Sequence, residues 1–287
     1  MQWINALVQG VLLGGLYALL ASGLSLMFGV MRIVNLAHGV LAVASAYVGV
    51  VLVEHGVHPA LAIPIVVIVA ALVGYILQWL LFGRSLSMGG LAPLLVAFGL
   101  SVVITQILQE TFTADTRTIQ IGSLATRSIR LGDLAIGVFP LVTFTVGAAA
   151  IIGLHLFLAK APLGRAMRAT SDDAETVRLM GISSRQVHAL ATALALATVG
   201  LAGMFLGMRT QFSPTYGDAV LIFAFETVII GGLGSLWGTL AGGVILGVAQ
   251  TVGAQINPAY GVLIGHLVFL VVLAVKPSGL IPKAVTT

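Results

Sequence analysis

Apolar stretches of about bilayer-crossing size recur along this sequence between polar breaks, near residues 5–29, 33–53, 60–82, 91–109, 135–158, 189–208, 218–233, 237–253 and 259–275. A hydrocarbon core of about 30 Å takes roughly 20 helical residues at about 1.5 Å each. That repetition leaves little choice of solvent. Only 22 of 287 residues are Asp, Glu, Lys or Arg, 8%, too few to clothe a water-exposed surface. With 59% hydrophobic residues and 35 Gly, the chain reads as an all-α polytopic integral membrane protein whose helices pack on small residues. Alternating strands of a membrane barrel are absent. Soluble enzymes, nucleic-acid binders and disordered chains are excluded. The segments at 218–233 and 237–253 are short and separated by Gly-Ser-Leu-Trp, so they read either as two crossings or as a re-entrant pair, giving eight or nine transmembrane segments.

The net charge is only +4, and no Lys/Arg cluster is dense enough to track a phosphate backbone, so no nucleic-acid partner is expected. The absence of Cys removes disulfides and thiol chemistry. The first cation is Arg32, so no basic region precedes the N-terminal apolar stretch, which is expected to be a retained spanning helix. Sidedness follows from the cations. Placing 160–185 in the cytoplasm puts Arg32, Arg84, Lys160, Arg165, Arg168, Arg178, Arg185, Lys276 and Lys283 inside, and Arg117, Arg127, Arg130 and Arg209 outside. Nine crossings would then put the N-terminus outside and eight would put it inside.

The chain is expected to form a single transmembrane domain over 1–287, with an external loop at 110–134 and a cytoplasmic loop at 160–188. The cytoplasmic loop carries the signals of a short helix over about 172–181. Thr170, Ser171 and Asp172 are N-cap candidates, Asp173 and Glu175 sit in the first turn, and Gly181 is a C-terminal stop. Val177, Leu179 and Met180 beside Arg178 and Glu175 offer an apolar ridge among charges.

Three features fall within the spans. Asn35, His38, Ala42, Ser45 and Gly49 recur at intervals of three and four, so a helix begun near Ile33 would carry one polar or small stripe. Such a stripe suits either a solvated pathway or close helix packing. Glu226 is the one acid inside a span, and an ionised carboxylate there costs at least about 2.5 kcal/mol. It should face a cavity or a partner such as Arg209. Gly231, Gly234, Gly238, Gly242, Gly243 and Gly247 repeat largely at four-residue spacing, a bare face for close helix approach. No catalytic constellation emerges, His55 and His58 make an incomplete metal set, and no Walker A pattern is present.

Four ordered motifs carry a resemblance over nearly the whole chain: Gly15-Leu-Tyr-Ala-Leu-Leu-Ala-Ser-Gly-Leu-Ser-Leu-Met-Phe-Gly29, Asn35-Leu-Ala-His-Gly39, the loop from Gly164 to Ile182, and the run from Gly231 to Gly247. Together they resemble the LivH-type permeases of branched-chain amino acid ABC importers. Glu175 and Gly181 stand six apart, as in the EAA-type coupling loop of such permeases. Leu36, where an aromatic is expected, and bulky Trp237 depart from the pattern. The resemblance implies an inner-membrane, multi-pass subunit with no ATPase motif and no cofactor of its own. Its partners would be membrane lipid, a second homologous permease, two cytoplasmic ATPases that bind ATP, and an external solute-binding protein. Arg165, Arg168, Asp172, Asp173, Glu175, Arg178 and Gly181 would serve ATPase coupling. Asn35, His38, Ser45 and Glu226 would line the substrate pathway. The substrate would be a branched-chain or other small amino acid. The alternatives are an ABC permease for urea or amides, and a proton-coupled secondary transporter using Glu226.

Overall fold

Small residues decide which helices of this chain sit at the centre. The computed structural model describes residues 2–132 and 134–281. Its helices are α1 (Gln2–Met31), α2 (His38–Glu54), α3 (Pro59–Leu77), α4 (Gly83–Ser85), α5 (Ala92–Phe112), α6 (Val138–Lys160), α7 (Pro162–Asp172), α8 (Ala174–Leu179), α9 (Ser184–Arg209), α10 (Gly217–Gly231), α11 (Leu236–Ile256) and α12 (Tyr260–Val275). A π turn over Gln78–Phe82 joins α3 to α4 into one span, Pro59–Ser85. Strands β1 (Ser128–Leu131) and β2 (Leu134–Gly137) form an antiparallel hairpin in the loop between α5 and α6.

Among the described residues, seven helices are long and apolar enough to cross a bilayer: α1, the α3–α4 span, α5, α6, α9, α10 with its preceding turn from Pro214, and α11. The apolar helices α2 and α12, at 17 and 16 residues, are shorter, so the expected eight or nine spans slightly exceed the number that meet the length. For α2 the reason is local. The helix starts at His38 and not near Ile33, because the Asn35 side chain accepts a hydrogen bond from Ala37 N at 3.0 Å and its carbonyl accepts one from His38 N at 3.1 Å. This turn, after Arg32 at φ 54°, competes with helix for the same backbone groups. Non-helical backbone at such depth is tolerated where protein covers it, and Ile33, Asn35 and Ala37 are buried.

α1 is the axis of the bundle and packs on α6, α9, α10 and α11. Gly10 and Gly14 meet Gly247 and Gly243 of α11, and a Cβ on Gly14 would lie 2.5 Å from Val244 Cα. On the α6 side, Gly147 lies against Gly15. The late glycine run serves two neighbours instead of one face: Gly243 and Gly247 receive α1, whereas Gly238 and Gly242 receive Gly231 and Thr227 of α10. Gly234 stands in the turn before α11 at φ 79°, a left-handed conformation that favours glycine. With 18 residues from Pro214 to Gly231 and 21 in α11, this pair forms an antiparallel hairpin whose two arms are each long and apolar enough to cross a bilayer.

The polar loops gather at two ends of the bundle. At one end Ser171 Oγ donates to Gly29 O at 2.7 Å, the Arg185 guanidinium lies 3.7 Å over the Trp79 ring, and Leu280 N donates to Ile230 O. That end gathers Arg32, Arg84, the 160–185 loop and Lys276; Lys283 lies outside the described residues. At the other end Gln9 Nε2 donates to Ala135 O at 2.8 Å and Arg117 pairs with Glu54 at 3.0 Å. The loop there is more than a connector: its Ile119 is buried, and Arg117 bridges to Phe212.

Candidate functional site

Two places in the fold hold the polar side chains that a simple membrane bundle would not need. The first lies inside the helices. Glu226 of α10 is buried, and its Oε1 is 2.5 Å from His266 Nδ1 of α12. With the carboxylate ionised, the imidazole N–H donates. Glu226 Oε2 is buried with no partner among the described residues. The partner of the intramembrane acid is thus His266 and not Arg209, the candidate suggested by the sequence. His266 is the only basic side chain of the last apolar run, and that fact was the available signal. Around the pair, Tyr17 OH of α1 donates to Gln250 Oε1 of α11. Phe223 is 5.3 Å from the Tyr17 ring and stacks at 6.2 Å and 14° on His266. Gln250 Nε2 and Thr227 Oγ1 are also buried and unpartnered.

The stripe of α2 is used differently. His38 Nε2 donates to Leu20 O of α1 at 2.6 Å, an interhelical bond that leaves Nδ1 buried without a donor. Asn35 is off the helix, with its Nδ2 3.8 Å from Met27 Sδ. Ser45 Oγ donates back to Leu41 O at 2.8 Å. Ala42 and Ser45 face Gly203, and Gly49 faces Met204, so this stripe packs closely on α9. The structure does not bring Asn35, His38 or Ser45 into the Glu226–His266 pair.

The second place is the loop between α6 and α9. It forms two helices in place of one over 172–181. Pro162 opens α7, where a missing N–H costs nothing, and Thr170, Ser171 and Asp172 close it instead of capping the next helix. The chain turns extended at Asp173, whose carboxylate accepts from Glu175 N and Thr176 N at 3.0 Å each and from Thr176 Oγ1. Asp173 is therefore the N-cap. The Thr176 hydroxyl first, then the two backbone N–H groups, hold this carboxyl below its usual value. α8 lasts only six residues and ends in a Schellman motif, with Gly181 N donating to Arg178 O, Ile182 N to Val177 O, and Gly181 at φ 82°. Leu179 and Met180 stand 87% and 74% exposed at its tip, but Val177 is buried and does not belong to the outer ridge. Glu175, Asp172 and Arg178 are exposed. Arg165 and Arg168 donate to Lys160 O and Ala159 O, satisfying the last carbonyls of α6.

These features define a multi-pass α-helical membrane protein with a carboxylate–imidazole pair inside the bundle and a rigidly punctuated short helix outside it. The chain belongs to the family described as branched-chain amino acid transport system / permease component, whose model matches residues 6–273. It is 28% identical over 295 residues to the high-affinity branched-chain amino acid transport system permease protein BraD of Pseudomonas aeruginosa, covering 98% of this chain and 96% of that one. To the corresponding protein LivH of Escherichia coli it is 26% identical over 297 residues, covering 98% and 96%. The permease protein LivM of Escherichia coli matches over 140 residues at 29% identity, 46% of this chain and 32% of that one. A solved structure titled PsaBC from Streptococcus pneumoniae in complex with Fab shares the fold at a TM-score of 0.51 and 15% identity, covering 96% and 91% of the two chains.

Proposed function

We propose that this chain is the permease subunit of an ATP-driven importer of branched-chain or other small amino acids in the inner membrane. It would pair with a second, homologous permease, dock on two cytoplasmic ATPases and receive substrate from an external solute-binding protein. The relatives that span the full chain support the substrate class, and the match to LivM alongside LivH supports the pairing. ATP belongs to the ATPases.

The observation that carries the coupling role is α8. A six-residue helix fixed by an Asp173 cap and a Schellman end holds Leu179 and Met180 out of the protein, where a docking partner would cover them. Movement of α8 has rigid routes inward. Ser171 ties α7 to the end of α1, Gly164 seats α7 against Phe157 and Leu158 of α6, and Arg185 over Trp79 ties the start of α9 to the α3 π turn. Closure of the ATPases would thus rock several spans together and open a route past Glu226.

Purification in mild detergent should bring down an ATPase, and uptake of radiolabelled L-leucine, L-isoleucine, L-valine or L-alanine should need ATP and survive collapse of the proton gradient. Gly181→Pro forces φ near −65° where 82° is needed, and Glu175→Lys reverses an exposed charge. Both should lower uptake at least about tenfold, the effect of roughly 1.4 kcal/mol on a barrier, while the protein still inserts. Undiminished uptake in both variants would refute the coupling role.

A further inference from the structure

We propose that Glu226, positioned by His266, forms a transient binding step for an organic ammonium group where α10 and α12 meet, and that this face lines the substrate's route. The proposal rests on the permease reading and adds to it a side of the bundle, a binding group and a ligand chemistry.

The pair is only half satisfied. Oε1 takes the imidazole N–H, but Oε2 is buried without a partner, although a carboxylate can accept several hydrogen bonds. Gln250 Nε2 of α11 also lacks a partner, and Gln250 lies against Gly265, next in sequence to His266. Two spare polar atoms, Glu226 Oε2 on α10 and Gln250 Nε2 on α11, therefore belong to side chains that pack on α12.

The pair also reaches the surface. The His266 side chain is 37% exposed, among Ile222, Leu263 and Leu270, which are exposed too. An ionisable group exposed midway along an apolar helix almost always faces protein or water in preference to acyl chains. The contrast with α3 is direct, for its outward stripe of Leu61, Ile65, Ile68, Leu72 and Ile76 is wholly apolar. The α3 side thus suits lipid and the α10–α12 side suits a route.

The ligand chemistry follows from the groups present. A carboxylate in a low-dielectric wall attracts cations, and the flat Phe223 ring stacked on His266 adds an aromatic face that also favours them. Around these the face is apolar, so it suits an ammonium group carried on an apolar body, as in a zwitterionic aliphatic amino acid. His266 is the exposed member of the pair, so an incoming ammonium group meets it first and can replace its N–H on Oε1.

The natural absence of cysteine makes the test direct. Ile222→Cys and Leu270→Cys would each be introduced into the complete importer in membrane vesicles, with Leu72→Cys on α3 as the lipid-side control. Each would be treated during ATP turnover with methanethiosulfonates carrying either a trimethylammonium or a sulfonate group. Both α10–α12 positions should be labelled and Leu72→Cys should not. The cationic reagent should exceed the anionic by about tenfold or more beyond their ratio on free cysteine. That preference should vanish in Glu226→Gln and largely persist in His266→Gln, which keeps a donor. A purely structural tie between α10 and α12, facing lipid or protein and not a route, would leave both positions unlabelled. No labelling at either position, or a preference that survives Glu226→Gln, would overturn the proposal. If Glu226→Gln does not assemble, Glu226→Asp keeps the charge and must keep the preference; its loss there is equally fatal. Failure of ATPase co-purification would instead overturn the permease reading and leave the labelling pattern interpretable.

Discussion

The α3–α4 span is the more apolar of two bilayer-length helical segments, yet it lies outside and α1 lies inside. Its best 18-residue window has a mean hydropathy of 2.8 and is 17% buried, whereas that of α1 has 1.9 and is 83% buried. In water the order would be reversed. In lipid, apolar side chains gain little by leaving one hydrocarbon for another, so the interior goes to the helix that permits the closest approach. α1 does so with Gly10, Gly14, Gly15 and Gly23 directed at α11, α6 and α9. α3 has one narrow stripe of this kind, Ala62, Val66, Ala70 and Gly74, and turns it to α9.

The contrast can be broken by substitution. The largest effect should come from Gly14→Leu, because its added carbons meet the backbone of Gly243 and Val244 and not a movable side chain. A loss of about 3 kcal/mol or more is expected, read as collapse of the monodisperse peak in detergent chromatography. Gly74→Leu on α3 should cost less, about 1–3 kcal/mol, because only one side of that helix is packed; equal losses would erase the distinction between axis and flank. Thr192→Val removes the donor that reaches Gln78 Oε1 at 2.8 Å in the π turn, and should lower thermal stability by about 1 kcal/mol. Leu72→Ala on the outward face of α3 should change stability by less than about 0.5 kcal/mol; a core-sized loss would mean that protein, not lipid, covers that face.

Outside both helices, Asp173→Ala should leave the bundle intact and only loosen α8, measured as faster amide exchange at Glu175 and Thr176. The Asp173 carboxyl is held below its usual value, so its contribution is fully present above the unfolded value near 3.8. It is lost as pH falls through the lowered folded value. Exchange at these amides should therefore be protected at neutral pH and lose protection only in acid.

Most helices were legible because a span needs a long apolar run and little else. What escaped the sequence was decided by short polar contacts. The start of α2 moved to His38 because Asn35 makes its own turn, and hydropathy does not register that competition. Asp173 took the cap from Ser171 and Asp172 because Pro162 had already begun a separate helix upstream. The four-residue glycine spacing announced close packing but not that its earlier members would serve α10 and its later ones α1. His266 was hidden by its apolar neighbours, although it is the one basic side chain of that run and Glu226 required a partner.

The α1–α11 seam has a consequence for how the protein is made. Tyr17 and Gln250, bonded across it, lie 233 residues apart, so the first helix emerges long before its main partner exists. At about 5–20 residues per second, α1 waits roughly 10–50 s in the membrane with its glycine face uncovered. The axis of the bundle is thus synthesised long before the helix that encloses it, and during that interval the nascent chain is open to wrong partners and to membrane proteases.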